Sequence, residues 1–242
     1  FLIAPRLSGS WGGNAQPRLT PASRKPSYGG RRISGKRLSR DMVDVYRYRR
    51  LGRRLACANR LFEVFFDTVE TPSGEIVDDF LVVRPKLSAP KGIVGVCVLP
   101  EVNGKIGLMR GWRHQLEEEV WQAPTGFIDL DETAQQTAVR ELKEETALVC
   151  DPTRLQSLGL YLPDAGLIEG RVALFHARCE GPFTESAATK EIGTGPLEYF
   201  SPDALEEILN HAENIGGATL VAAYRYLRWH ARKSQPQRRE EH

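Results

Sequence analysis

Residues 126–148 read GFIDLDETAQQTAVRELKEETAL, and how this stretch folds decides how the rest of the chain is read. From Thr133 to Thr146, Ala134, Ala138, Leu142 and Thr146 recur every four residues, the spacing of one helix face. On that helix Glu141, Glu144 and Glu145 stand at i, i+3 and i+4, which brings their carboxylates within about 6 Å of one another. Like charges so close destabilise a helix unless a cation offsets them. A hard divalent ion does this, because Mg²⁺ takes oxygen ligands and is usually shared between carboxylates and substrate phosphate. Arg140 can pair with acids on its own helix or with Glu132 and so hold the carboxylates in place. Gly126 lets the backbone approach closely and can free the carbonyl of Thr125 as a further ligand. The competing explanation is a solvated acidic helix face, the usual meaning of a glutamate-rich helix.

Spacing separates the two. The stretch resembles the Nudix box, which runs Gly, five residues, Glu, seven residues, Arg-Glu, an aliphatic, one residue, Glu-Glu, one residue, Gly, an aliphatic. Gly126, Glu132, Arg140, Glu141, Leu142, Glu144, Glu145 and Leu148 fill it. Six fixed residues matched by chance somewhere in a chain of this length come to a probability on the order of 10⁻⁵. Ala147 departs from the pattern, standing where the second Gly falls. If that position ends the helix in a left-handed conformation, Ala costs about 1 kcal/mol there and leaves the ligands in place.

The wider frame is similar to the ADP-ribose pyrophosphatase branch of that superfamily, from about Leu61 to Arg232. IVGVCVLPEVNGKIGLMRGWRHQ is followed by EEEVWQAPTGFIDLDE, with Gln122 where a Glu is usual. Pro163, in LPDAGLIEG, stands fifteen residues beyond Leu148, and IGGATLVAA (215–223) resembles the entry to the last helix. The fold implied is α+β: a Nudix α/β/α sandwich with a mixed β-sheet, plus a small N-terminal antiparallel sheet.

Local signals fill in that frame. LFEVFFDTVE (61–70), the turn at Pro72-Ser73-Gly74 and a strand over 76–84 predict a hairpin. Residues 93–99 read as a buried strand, and Asn103-Gly104 is a strong hairpin signal before a return strand over 106–110. Strands are expected at 155–162, 172–177 and 197–200. Ser201-Pro202 opens a helix through about His211, and 218–232 form a last amphipathic helix. The division expected is a basic tail (1–45), a hairpin and dimerisation region (46–90), a hydrolase domain (91–232) and a polar tail (233–242).

Composition narrows the partners. The net charge of +2 conceals a tail, residues 1–40, with nine Lys or Arg and no acid, leaving 24 basic against 31 acidic residues in the rest. An acidic body suits a protein that collects divalent cations and makes nucleic acid an improbable ligand. No apolar run approaches the roughly 20 residues of a membrane span. Four scattered cysteines without a Cys-x-x-Cys pair fit a reducing compartment and a cytoplasmic location. The tail has the composition of an organellar transit peptide, of an upstream stretch before a start at Met42, or of a cloning remnant.

The resemblance implies Mg²⁺-dependent attack of water on the pyrophosphate of a nucleoside diphosphate sugar such as ADP-ribose, with Mn²⁺ as the alternative ion. It implies Glu141, Glu144, Glu145 and the Thr125 carbonyl as metal ligands, Glu144 also counting among the catalytic residues. Gly126, Glu132 and Arg140 would be structural within the box. Arg113 would contact substrate phosphate, Glu191 would be the general base with Glu185 its competitor, and Glu169 would reach substrate across a homodimer. Alternatives are a module that senses ADP-ribose without cleaving it, and an enzyme acting on GDP-mannose or RNA 5′ ends. Four box glutamates favour an enzyme.

Overall fold

The structure, a computed structural model, describes residues 47–180 and 194–234. Ten strands and three helices are present among them: β1 (Arg49–Ala58), β2 (Phe62–Glu70), β3 (Ile76–Pro85), β4 (Ile93–Val102), β5 (Lys105–Arg113), β6 (Glu118–Gln122), β7 (Thr125–Phe127), α1 (Ala134–Thr146), β8 (Leu155–Tyr161), β9 (Arg171–Arg178), β10 (Glu198–Phe200), α2 (Pro202–His211) and α3 (Gly217–Ser234).

The expected hairpin is part of a three-stranded antiparallel sheet in the order β1-β2-β3. Its first strand, RRLGRRLACA, carries four arginines and no apolar alternation, which is why the sequence pattern does not declare it. Cross-strand chemistry holds it instead. Arg53 makes two hydrogen bonds to the buried carboxylate of Asp67, at 2.7 and 2.8 Å, and stacks over Phe65. Arg54 lies over Phe66, and Arg49 bonds Glu70.

The second sheet is mixed, ordered β10-β5-β4-β9-β8, with β6 added to β5 and β7 to β4. β4 and β9 are parallel; the other pairs are antiparallel. The turn joining β4 to β5 is the expected one, with Asn103 at φ 50 and Gly104 at φ 76, both in the left-handed region. Alternation along β4 sorts two cores. Val96 and Val98 pack with Ala138 and Leu142 of α1 on one face. Cys97 and Leu99 pack with Leu205 of α2 and Ala222, Ala223 and Tyr226 of α3 on the other. The layers are therefore helix, sheet, helices.

Each helix starts where its cap dictates. Thr133 and Gln136 form a reciprocal capping box on α1. Ser201 caps α2, with Pro202 in its first turn. α1 ends on Ala147, left-handed at φ 57 and ψ 6, with its N–H donating to the Lys143 carbonyl.

The strands β6 and β7 go unannounced in the sequence. Between them, Ala123-Pro124 crosses from the partner of β5 to the partner of β4. Ala123 N–H donates to Thr219 Oγ1 at 3.0 Å, and the Pro124 carbonyl accepts from Val98. Near its start, β4 pairs with β7 rather than β5, so the crossing segment lies where β4 and β5 diverge.

Candidate active site

The crossing segment delivers Thr125 and Gly126 against α1. An ideal Cβ built on Gly126 would fall 1.8 Å from Glu141 Oε1 and 1.9 Å from its Cδ. The bare backbone at 126 is thus the seat of the Glu141 carboxyl. Glycine leaves room here for close approach, and what approaches is a side chain of α1.

Arg140 organises the acids around that seat. Its Nε donates to Glu132 at 3.0 Å, its Nη1 to Glu141 Oε1 at 2.7 Å and Glu144 Oε2 at 3.2 Å, and its Nη2 to the Phe127 carbonyl at 3.1 Å. Asp129 lies 3.5 Å away. One nitrogen bonded to both Glu141 and Glu144 keeps those two carboxylates within about 6 Å. Glu132 also accepts from Thr137 Oγ1 at 2.8 Å, which ties the loop before α1 to its first turn. Hydrogen bonding from Arg140 holds the Glu132 carboxyl below the usual glutamate range, and the same acids, Glu132 foremost, push the guanidinium up.

Glu145 lies beneath. It is 4% exposed, and its Oε2 accepts from the Thr125 N–H at 3.3 Å. In an extended strand the N–H and C=O of one residue lie on the same edge, so the Thr125 carbonyl faces the side on which Glu145 sits. Cys97, the cross-strand neighbour of Thr125, has its thiol pushed up to about 12, first by burial and further by the charge on Glu145.

The donor set has the chemistry of a hard divalent cation. Every candidate ligand is an oxygen. Four carboxylates surround a single guanidinium, and a fifth is buried beside them, which leaves the cluster strongly negative. Among the described residues no three acidic or metal-binding side chains close a cation cage by themselves. An ion at this place would need further oxygens from backbone carbonyl, water or substrate phosphate. The residues fit the ion.

Arg113 ends β5, partly exposed, and its carbonyl accepts from Leu116 and Glu117 in the turn toward β6. Glu169 is placed by the N-terminal sheet. Its backbone N–H donates to the Val83 carbonyl, and its carboxylate lies 2.9 Å from Arg53 Nη1. It also lines a cavity of about 470 Å³ with Glu63, Arg84, Lys86 and Arg171. Glu191 and Glu185 lie outside the described residues. Two residues carry more than the sequence reading gave them. Arg53, which fixes Glu169 from the N-terminal sheet, gave no signal beyond its charge. Gln122 was noted only as a departure in residue type, and its burial at 3% exposure follows from a strand pairing that the sequence does not show.

A family model described as "NUDIX domain" matches residues 90–221. The chain is 26% identical over 176 residues to a "Methanol dehydrogenase activator" of Bacillus methanolicus, covering 70% of this chain and 86% of that protein. It is 26% identical over 120 residues to an "ADP-ribose pyrophosphatase" of Bacillus subtilis (strain 168), covering 50% and 60%. A "Putative nudix hydrolase 2" of Caenorhabditis elegans is 35% identical over 96 residues, covering 38% and 43%. The chain thus spans most of the first relative's length but under two thirds of the other two. In fold it is similar to a solved structure titled "Crystal structure of ADP compounds hydrolase", with TM-score 0.63, 18% identity, and coverage of 78% of this chain and 97% of that one.

Proposed function

Because the chain belongs to the NUDIX family, we propose that it hydrolyses the pyrophosphate of a nucleoside diphosphate sugar, ADP-ribose foremost. The observation that carries this reading is the seating of Glu141 on Gly126, with Arg140 gathering the acids around it and Glu145 buried below. Family membership supports hydrolase chemistry, and the relative named as an ADP-ribose pyrophosphatase supports the substrate class.

Glu141, Glu144, Glu145 and the Thr125 carbonyl hold a divalent ion, Mg²⁺ by preference and Mn²⁺ as the alternative. When bound, that ion supplies charge neutralisation at the bridging oxygens and lowers the pKa of the attacking water. Arg140 and Glu132 lock the loop and helix so that the ligands are oriented before substrate arrives, and Gly126 leaves room for Glu141. The fork of Arg113 binds a pair of pyrophosphate oxygens. Glu191 takes the proton of the attacking water, since the box carboxylates are occupied as ligands. With ADP-ribose the products are AMP and ribose 5-phosphate.

The N-terminal sheet leaves Leu51, Leu55, Ile76 and Phe80 between 39% and 53% exposed. So much apolar surface on so small a sheet suits a homodimer, in which Glu169 contacts substrate from the sheet side. Light scattering at micromolar concentration is expected to give twice the mass of the chain.

The test is a panel of ADP-ribose, other nucleoside diphosphate sugars, GDP-mannose and 5′-triphosphate RNA. It is scored for monophosphate release with Mg²⁺, with Mn²⁺ and after chelation. Metal-dependent AMP release from ADP-ribose is expected. Binding of ADP-ribose without release, or cleavage of the RNA alone, would refute the proposal.

A further inference from the structure

We infer that the side-chain carbonyl of Gln122 is a substrate contact, accepting a hydrogen bond from a hydroxyl of the sugar beside the pyrophosphate. The inference rests on the hydrolase reading above and names a specificity-determining residue for it. Among the described residues, Gln122 Oε1 is the one buried side-chain polar atom with no hydrogen-bond partner. A buried acceptor left unpaired costs about 1–3 kcal/mol, so its retention in a packed sheet calls for a use.

Its position indicates which use. Gln122 pairs with Met109 across β5 and β6, and Gly111 and Arg113 follow Met109 at alternate positions, on the same face. The Gln122 amide lies flat on Gly111. A Cβ there would fall 2.6 Å from Nε2, 2.7 Å from Cδ and 2.9 Å from Oε1. Gly107, of the same parity, packs on Leu197, which lies against the core under α1. Gln122 and Arg113 therefore share the face of the sheet that α1 covers. Three residues after Gln122, the Thr125 N–H bonds Glu145. Gln122 thus shares a sheet face with Arg113 and stands three residues ahead of the backbone that meets Glu145.

Chemistry selects the donor. Pyrophosphate oxygens only accept at neutral pH, so an acceptor beside them cannot bind phosphate. The nearest donors on a nucleoside diphosphate sugar are the sugar hydroxyls, and the amines of the base lie beyond the ribose. The amide is neutral, so it adds no repulsion toward the diphosphate. The bare backbone of Gly111 is where the amide already rests, and the terminal torsion of Gln is broad, so the amide can rotate in place to present its oxygen to a ligand.

The experiment compares the wild-type protein and Gln122→Met on ADP-ribose and on analogues lacking single ribose hydroxyls, with thermal melts of both proteins. Met has a similar shape and no acceptor. Loss of a neutral hydrogen bond made equally in ground and transition states should raise KM about 3- to 10-fold with kcat within twofold. The melting temperature should hold or rise, since an unpaired buried acceptor has gone. One deoxy analogue should weaken the wild-type protein by the same factor and leave Gln122→Met indifferent. An unchanged KM overturns the inference: with a raised melting temperature it marks an acceptor served by water only, and with a lowered one a packing residue only. If the variant does not fold, the wild-type series decides, and indifference to every hydroxyl deletion overturns it. A wild-type protein inert on every nucleoside diphosphate sugar overturns the hydrolase reading itself and this inference with it.

Discussion

Gly126→Ala places a methyl group where the Glu141 carboxyl now lies. The added Cβ would be 1.8 Å from Oε1 and 1.9 Å from Cδ, against ordinary contact beginning at 3.4 Å. The carboxyl has to withdraw by more than 1 Å, which ends its 2.7 Å bond to Arg140. Displacement of a reacting or positioning group by about 1 Å costs on the order of 10²-fold in rate. Stability suffers less, because Arg140 keeps Glu132 and the Phe127 carbonyl. Losing one charge-assisted hydrogen bond costs about 1–3 kcal/mol, or up to about 10 °C in a chain of this size. The assay is AMP release from ADP-ribose at saturating Mg²⁺, beside a circular-dichroism melt. Gly74→Ala is the control, since Gly74 has φ +85 with nothing within 4 Å of the added carbon. It should lose about 1 kcal/mol to backbone strain and keep its turnover. A Gly126→Ala protein with kcat within threefold of wild type would refute the seating of Glu141 as the basis of activity.

Three further outcomes are expected. Ala147→Gly should raise the melting temperature by about 2–4 °C with unchanged kcat, because glycine relieves roughly 1 kcal/mol at φ 57; a lower melting temperature would count against the strain. The Glu101 carboxyl, held below the usual glutamate range chiefly by its 2.7 Å bond to His176, contributes stability that is present above about pH 4.3 and lost as pH falls through its depressed folded value. Melts from pH 7 to pH 3 should therefore show Glu101→Gln well below wild type at neutral pH and converging with it in acid, and parallel curves would refute this. Glu191→Gln should cut kcat by about 10²–10⁴-fold with little change in KM, and if Glu185→Gln or Glu169→Gln loses kcat instead, the base lies there.

Legibility in the sequence followed the strength of the local pattern. The cap of α2, the four-residue repeat of α1 and the Asn103-Gly104 turn depend on near neighbours, and they can be read from a few consecutive residues. β7 depends on a partner distant in the chain, β4, whereas β1 and β6 fold back on their sequence neighbours β2 and β5 but carry little apolar alternation to declare them. Glu118-Glu119-Val120-Trp121-Gln122 has little apolar alternation, and it becomes a strand because β5 offers an edge. Thr125–Phe127 is three residues long with a glycine in the middle. Asp67 is unremarkable in the sequence and nearly buried in the fold, because Arg53 supplies its charge partner from β1. At the site, the spacing of Glu141, Glu144 and Glu145 was readable as a face. That Arg140 bonds two of them while Glu145 sinks below belongs to the packing of α1 on β7.

The contacts of Arg53 bear on how this protein can be cut. Arg53 binds Asp67 within the N-terminal sheet and Glu169 in the loop before β9, while Val83 exchanges backbone hydrogen bonds with Leu167 and Glu169. The sheet and the catalytic layer are therefore not modules that an engineer could swap. A shortened chain beginning after Ala58 would open the edge of β2, strand a mostly buried carboxylate at Asp67 and release Glu169 from its cation. Leaving one member of a buried ion pair alone costs about 3–5 kcal/mol, a large share of what keeps a domain folded. The smallest useful fragment starts ahead of Arg49, although the family's own pattern begins some forty residues later, at 90.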